Sequence, residues 1–262
     1  MLTKPIPDAL QGSAIERVVP GSPALSDHLL REHMKRYLFA TPLVSGMNVL
    51  DLACGSGYGS YQLSLSAKQV LGVDVEGSAI EYARNNYKNE NLSFLTGNAQ
   101  ELSGLNDASF DAVVSFETIE HLPDYKQYLK AVRRVLKPGG LFIVSTPDTE
   151  FTKKTHLPKA IENPYHVHEF TFDELKSALS EFFSVTHFYG QQFYISPSPA
   201  RKMVHYITHA ILATRLYQSV RNLIPKIILT SFVKITGVVN EGEILPLNSA
   251  NGVPEILIAV CL

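Results

Sequence analysis

The stretch VLDLACGSGYGSYQL, residues 49–63, decides the fold. An apolar run ends in an acid, Asp51, and passes at once into a loop with glycines at 55, 57 and 59. A strand that stops at a glycine loop and resumes as a helix is the opening unit of a parallel α/β sheet. Glycine admits left-handed dihedrals and lets a ligand approach the backbone closely. A carboxylate beside that loop repels a pyrophosphate and suits an ammonium. The spacing also departs from the G-x-G-x-x-G of a dinucleotide site. Taken alone, the loop fits a plain tight turn as well.

Outward from that stretch the pattern alternates. Residues 48–53 read as a buried strand and 58–66 as a helix. Strands follow at 69–75, 92–96, 110–117, 141–147 and 184–190, with a seventh at 254–262. Helices lie between them at 77–87, 122–140 and 171–183, the last with Thr171 and Glu174 in capping-box spacing. Upstream, residues 24–40 place apolar side chains at helical spacing, and residues 1–23 read as an arm rich in Pro, Gly and Ser. This alternation predicts an α/β fold with a doubly wound, mostly parallel seven-stranded sheet.

Residues 195–250 interrupt the alternation. Within them, 201–237 reads as two amphipathic helices divided near Pro225. From 182 to 240 there is no Asp or Glu, but six Lys or Arg. We therefore divide the chain into an arm at 1–23, a main domain at 24–194 plus 251–262, and a helical insertion or cap at 195–250. The insertion's apolar, basic surface suits core completion, a homodimer contact, peripheral contact with an anionic membrane face, or phosphate recognition on a nucleotide-linked sugar.

Bulk properties exclude several classes. The chain has 262 residues, is 45% hydrophobic and carries a formal net charge of −2. No global field draws it to nucleic acid. Two cysteines without metal-type spacing exclude a disulfide framework and fit a reducing, cytoplasmic setting. No signal-peptide run opens the chain, and no transmembrane-length apolar run occurs in it.

Successive strand ends carry a set of polar groups. Asp74 ends the second strand, 23 residues after Asp51, where an acid can accept both hydroxyls of a ribose. Its plain alternative is a cap on the next turn. Asn98 and Ala99 follow the third strand, where an adenine edge would lie. Carbonyls near Phe116 and Glu117 follow the fourth and could accept protons from an ammonium. The ligand that fits is a nucleoside joined to an amino acid, without phosphates.

In these stretches the chain resembles the class I S-adenosylmethionine-dependent methyltransferases. The matching segments are VLDLACGSGYG (49–59), VLGVDVEGSAIEYAR (70–84), LSFLTGNAQEL (92–102), SFDAVVSFETIEHLPDYKQYLKAVRRVLKPGGLFIVSTP (109–147) and EILIAVCL (255–262). The resemblance implies a Rossmann-like methyltransferase fold whose last strand runs antiparallel between the fifth and sixth. It implies S-adenosylmethionine as cofactor, with roles for Asp51, Ala53, Gly55, Gly57, Asp74, Val75, Asn98 and Ala99, next to Phe116 and Glu117. Many relatives have Asp where this chain has Asn98, so charge assistance to the adenine amino group is lost. Arg36, on the N-terminal helix, could pair with the methionine carboxylate. A narrower likeness, carried by 32–40, 53–61, 116–122 and 163–175, is to methyltransferases of bacterial surface polysaccharides and other glycans.

Methyl transfer from a sulfonium to a hydroxyl needs alignment and removal of a proton. The segment NPYHVHEF (163–170) follows the fifth strand and overlooks the expected methyl position. If extended, it would place His166 and His168 on one face. We take His166 as the general base, with His168 or Glu169 orienting it or the substrate, and His121 as a substrate contact or loop anchor. No metal is expected, because a third ligand is not apparent beside His-x-His. The function read from the sequence is O-methylation of a sugar or glycan precursor. The alternatives are methylation of a quinone precursor, amine or lipid, and a non-enzymatic binding module of the same fold.

Overall fold

In a computed structural model, residues 18–20, 27–155, 165–194, 238–247 and 253–262 are described. Helix α1 (Asp27–Leu43) leads into β1 (Asn48–Leu52), α2 (Tyr58–Ser64), β2 (Gln69–Asp74), α3 (Gly77–Asn86) and β3 (Leu92–Thr96). The chain continues through β4 (Phe110–Phe116), a 3₁₀ turn at Ile119–His121, α4 (Tyr125–Val135), β5 (Leu136–Pro147) and α5 (Thr149–Thr155). It closes with α6 (Phe172–Ser180), β6 (Val185–Tyr194), β7 (Val238–Pro246) and β8 (Val253–Cys261).

The strands form one sheet in the order β3-β2-β1-β4-β5-β8-β6-β7. The first five run parallel, and β8 lies antiparallel between β5 and β6. The fold is therefore the doubly wound α/β sheet read from the sequence, with one strand more than the seven expected. The added strand is β7, paired antiparallel to β6 at the sheet edge. It lies inside 195–250, the segment assigned to a helical insertion. Its middle, Asn240 to Glu243, is polar and contains a glycine, so no apolar alternation marks it, as is common for edge strands. The expected helices in 201–237, with the membrane or dimer contacts attached to them, lie outside the described residues. So does most of the arm at 1–23.

Alternation along β1 sorts the core onto two faces of the sheet. Leu50 and Leu52 pack with Tyr128, Leu129 and Val132 of α4 and Leu175 and Leu179 of α6. Val49 packs on the other face with Tyr37 and Ala40 of α1 and Leu63 of α2. Asp51 points to that second face, fully buried. Helix starts use local chemistry: Asp124 accepts from the Gln127 amide at 2.9 Å, and Thr171 and Glu174 form the expected capping box. The expected helix over 122–140 ends earlier, at Val135. Leu136 already pairs with Phe110, and a register shift in β5 then carries Lys137 to Gly140 past the partner strand. No helix among the described residues is long and apolar enough to cross a membrane.

Candidate functional site

The sheet reverses its winding between β1 and β4, the place where open α/β sheets hold a ligand crevice beyond the carboxyl ends of the strands. The glycine loop lines it. Ala53, Gly55 and Gly57 all have positive φ, at 60°, 55° and 87°. Three left-handed residues in five fold the loop back sharply over β1 and β2. At Gly57 the demand is also steric: a Cβ would stand 2.5 Å from Cβ of Ala83. Gly59 leaves room for the ring of Tyr37, which lies against it from α1.

Of the two acids of the sequence argument, Asp74 anchors this loop directly. Asp74 is almost fully buried at the end of β2. Its Oδ2 accepts from the Gly55 amide at 2.8 Å and its Oδ1 from the Glu76 amide at 3.0 Å. Asp51 differs from expectation. It has no exposed surface; Ser60 donates to it at 2.5 Å and Tyr37 at 3.3 Å. A direct grip on a ligand ammonium is therefore not what this geometry offers. Asp51 instead holds Ser60 and Tyr37 in place. Burial pushes its carboxyl up to about 7; the Ser60 and Tyr37 bonds oppose that shift and nearby Asp74 adds to it. Ser60 and Tyr37 carry no motif of their own. The sole hint is a hydroxyl on the first turn of the helix that follows an acid-tipped strand.

The remaining cofactor candidates ring the same crevice. Val75 is 68% exposed, an apolar surface next to the end of β2. Asn98 is exposed after β3, and its Oδ1 accepts from the Gln100 amide at 2.9 Å, with Ala99 half-buried beside it. The Phe116 ring meets Tyr37 edge-on at 5.1 Å, and its carbonyl accepts from Thr118 Oγ1 at 3.1 Å. Glu117 has φ 50°, and its Oε1 accepts from Ser145 Oγ at 2.7 Å. Arg36 is buried; one guanidinium nitrogen donates to Gln191 at 2.7 Å, and its Nε has no hydrogen-bond partner. Gln191 in turn donates to the carboxylate and the carbonyl of Glu32.

The histidines divide. His121 and His166 meet ring to ring, with centroids 4.8 Å apart. His168 does not share their face. Its amide, like that of Val167, donates to the Glu120 carbonyl, and its ring packs on Phe170 and Tyr125. The segment bends at this point instead of extending, which separates 166 from 168. Glu169 is exposed and accepts from Thr149 at 3.3 Å, away from His166. The group that joins the His121–His166 pair is Glu120, which the sequence reading did not single out. It is 1% exposed; Thr146 donates to its Oε2 at 3.0 Å, and its Oε1 lies 3.8 Å from His121 Nε2 without a hydrogen-bond partner. Burial, reinforced by Glu117, holds its carboxyl well above the usual range. A buried acid between two apolar neighbours, Ile119 and Leu122 with His121 intervening, was the available signal.

A sequence profile described as a methyltransferase domain matches residues 43–193. A probable S-adenosylmethionine-dependent methyltransferase of Mycolicibacterium smegmatis is 36% identical over 165 residues, which are 63% of this chain and 62% of that protein. A ubiquinone biosynthesis O-methyltransferase of Coxiella burnetii is 31% identical over 133 residues, 47% of this chain and 53% of that protein. The chain thus spans less than two thirds of the length of these relatives. A solved Thermotoga maritima structure, described as an SAM-dependent methyltransferase and possible histamine N-methyltransferase, has a TM-score of 0.59 over 89% of this chain and 91% of that one. At 17% identity that likeness concerns the fold alone.

Proposed function

Because the chain belongs to the methyltransferase-domain family, we propose that it binds S-adenosylmethionine in the crevice and transfers the methyl group to a hydroxyl of a small acceptor. The observation that carries this reading is the clamp between Asp74 and the Gly55 amide, which sets an acid and a glycine loop side by side at the switch point of the sheet. Asp74 holds the ribose, Val75 and Asn98–Ala99 flank the adenine, and the turn at Phe116–Glu117 receives the methionine end with Arg36 behind it. The name of the Mycolicibacterium smegmatis relative supports this choice of cofactor.

Glu120, His121 and His166 form the acceptor end of the crevice. The acceptor oxygen attacks the methyl carbon in line. The new C–O bond forms as the S–C bond breaks, and the sulfur keeps the bonding pair. The hydroxyl proton leaves to an imidazole of the His121–His166 pair, with His166 as the general base. His168 supports the segment through its packing and its amide.

We take a sugar or glycan precursor as the first acceptor, on the strength of the segments at 116–122 and 163–175. A phenolic quinone precursor is the second reading, favoured by the ubiquinone O-methyltransferase relative. Incubating a cell extract with the protein and S-adenosylmethionine labelled in its methyl group, then analysing it by mass spectrometry, tests the proposal. A labelled O-methyl product bearing a saccharide supports the first reading and one bearing an aromatic ring the second. No labelled small molecule from any extract overturns both.

A further inference from the structure

A second property of the acceptor end follows from how its three side chains are held. The sequence showed no third ligand beside His-x-His; in the fold His168 turns away, and the 3₁₀ turn after β4 brings Glu120 and His121 to His166. One ligand atom each from Glu120, His121 and His166 lies within 4.8 Å of the others. His121 Nδ1 lies 3.1 Å from the Tyr165 carbonyl, which can only accept, so Nδ1 carries the proton. In the neutral ring the Nε2 lone pair then faces Glu120. Metal-ligating histidines are commonly fixed in this way, by donating the other ring nitrogen's proton to a carbonyl. Glu120 is oriented likewise: Thr146 holds Oε2 and leaves Oε1, buried and without a hydrogen-bond partner, on the His121 side. The 3.8 Å between Glu120 Oε1 and His121 Nε2 is too long for a hydrogen bond. It is close to the separation of about 3.3 Å between two ligands of one tetrahedral zinc ion.

We propose that Glu120, His121 and His166 form a binding site for one divalent transition-metal ion, of which zinc is the type, at the acceptor end of the crevice. Two imidazoles and one carboxylate leave a coordination position open, as in catalytic zinc sites. That position faces where the proposed function puts the acceptor oxygen. Closing the trio on an ion requires its ligand atoms, which lie within 4.8 Å of one another, to draw together, and His166 sits on the partly exposed segment that can do so. The site rests on the geometry of these three residues and not on the cofactor reading.

Titration calorimetry of the full chain, first stripped with a chelator, tests the site with zinc chloride; cobalt chloride supplies a visible absorption spectrum. The expected result is one ion per chain at micromolar affinity or tighter, and a cobalt spectrum of four- or five-coordinate type. His166→Ala and Glu120→Gln should each weaken zinc at least tenfold and abolish the cobalt signal, with melting temperatures confirming that both variants fold. No zinc heat in the wild-type chain, or equal affinity in both variants, would overturn the site. Binding of S-adenosylmethionine is read in a separate titration, so failure of the ion site and failure of the cofactor reading are told apart.

Discussion

The hydroxyl of Ser60 donates to the fully buried carboxylate of Asp51 over 2.5 Å. This contact joins the first turn of α2 to the end of β1 beneath the glycine loop. It also explains how an acid survives at the centre of the sheet. Ser60 and Tyr37 satisfy its two oxygens, but they only partly offset the cost of burying its charge.

Asp51 therefore makes stability depend on pH. Its carboxyl is raised from 3.8 to about 7, so the folded state holds the proton more tightly than the unfolded chain does. That contribution is fully present below pH 3.8 and is lost as pH rises through about 7. The displacement is worth roughly 4 kcal/mol at most. Asp51→Asn should flatten the decline in stability between about pH 4 and pH 7, measured by urea unfolding at each pH. An unchanged slope would show that Asp51 titrates normally.

Gly57→Ala should destabilise the fold by about 3 kcal/mol or more. The substitution combines a left-handed dihedral of 87° with a contact between Cβ atoms of 2.5 Å to Ala83. The nearest atoms belong to a helix and to the Phe94 ring, which cannot both move away. Thermal unfolding checks the loss, and Gly46→Ala, also at positive φ but in open space, is the control for backbone strain alone.

Arg36→Met should separate binding from stability. The guanidinium is buried and bonded to Gln191, so its loss removes a buried hydrogen bond to that amide oxygen, at about 1–3 kcal/mol. If Arg36 also meets the methionine carboxylate, affinity for S-adenosylmethionine falls about tenfold or more while affinity for adenosine is unchanged. Equal losses for both ligands would assign Arg36 a purely structural part.

Much of the architecture was legible in the sequence because its strands are buried on both faces and read as apolar runs. Leu50 and Leu52 on one face and Val49 on the other made β1 unmistakable. β7 was not legible, since an edge strand with Asn240, Glu241 and Glu243 need not be apolar. In the crevice, Asp51 and Asp74 were found because each ends a strand. Their partners were not found: a hydrogen bond from Ser60 or Tyr37 depends on how α1 and α2 pack. The same limit explains His168. An extended segment would have set it beside His166, whereas the amides of Val167 and His168 both turn to the Glu120 carbonyl. Glu120 itself was hidden by a common assumption, that a lone acid near a turn is solvated.

The most direct measurement is calorimetric titration of S-adenosylmethionine into the wild-type chain and into Asp74→Ala. Loss of Asp74 releases the Gly55 amide and, on the proposed function, removes the acceptor for the ribose. Micromolar affinity in the wild type and a drop of about 100-fold or more in the variant are the predicted results, in line with the loss of charge-assisted hydrogen bonds. No binding to the wild type, or equal binding to both proteins, would contradict the placement of the cofactor.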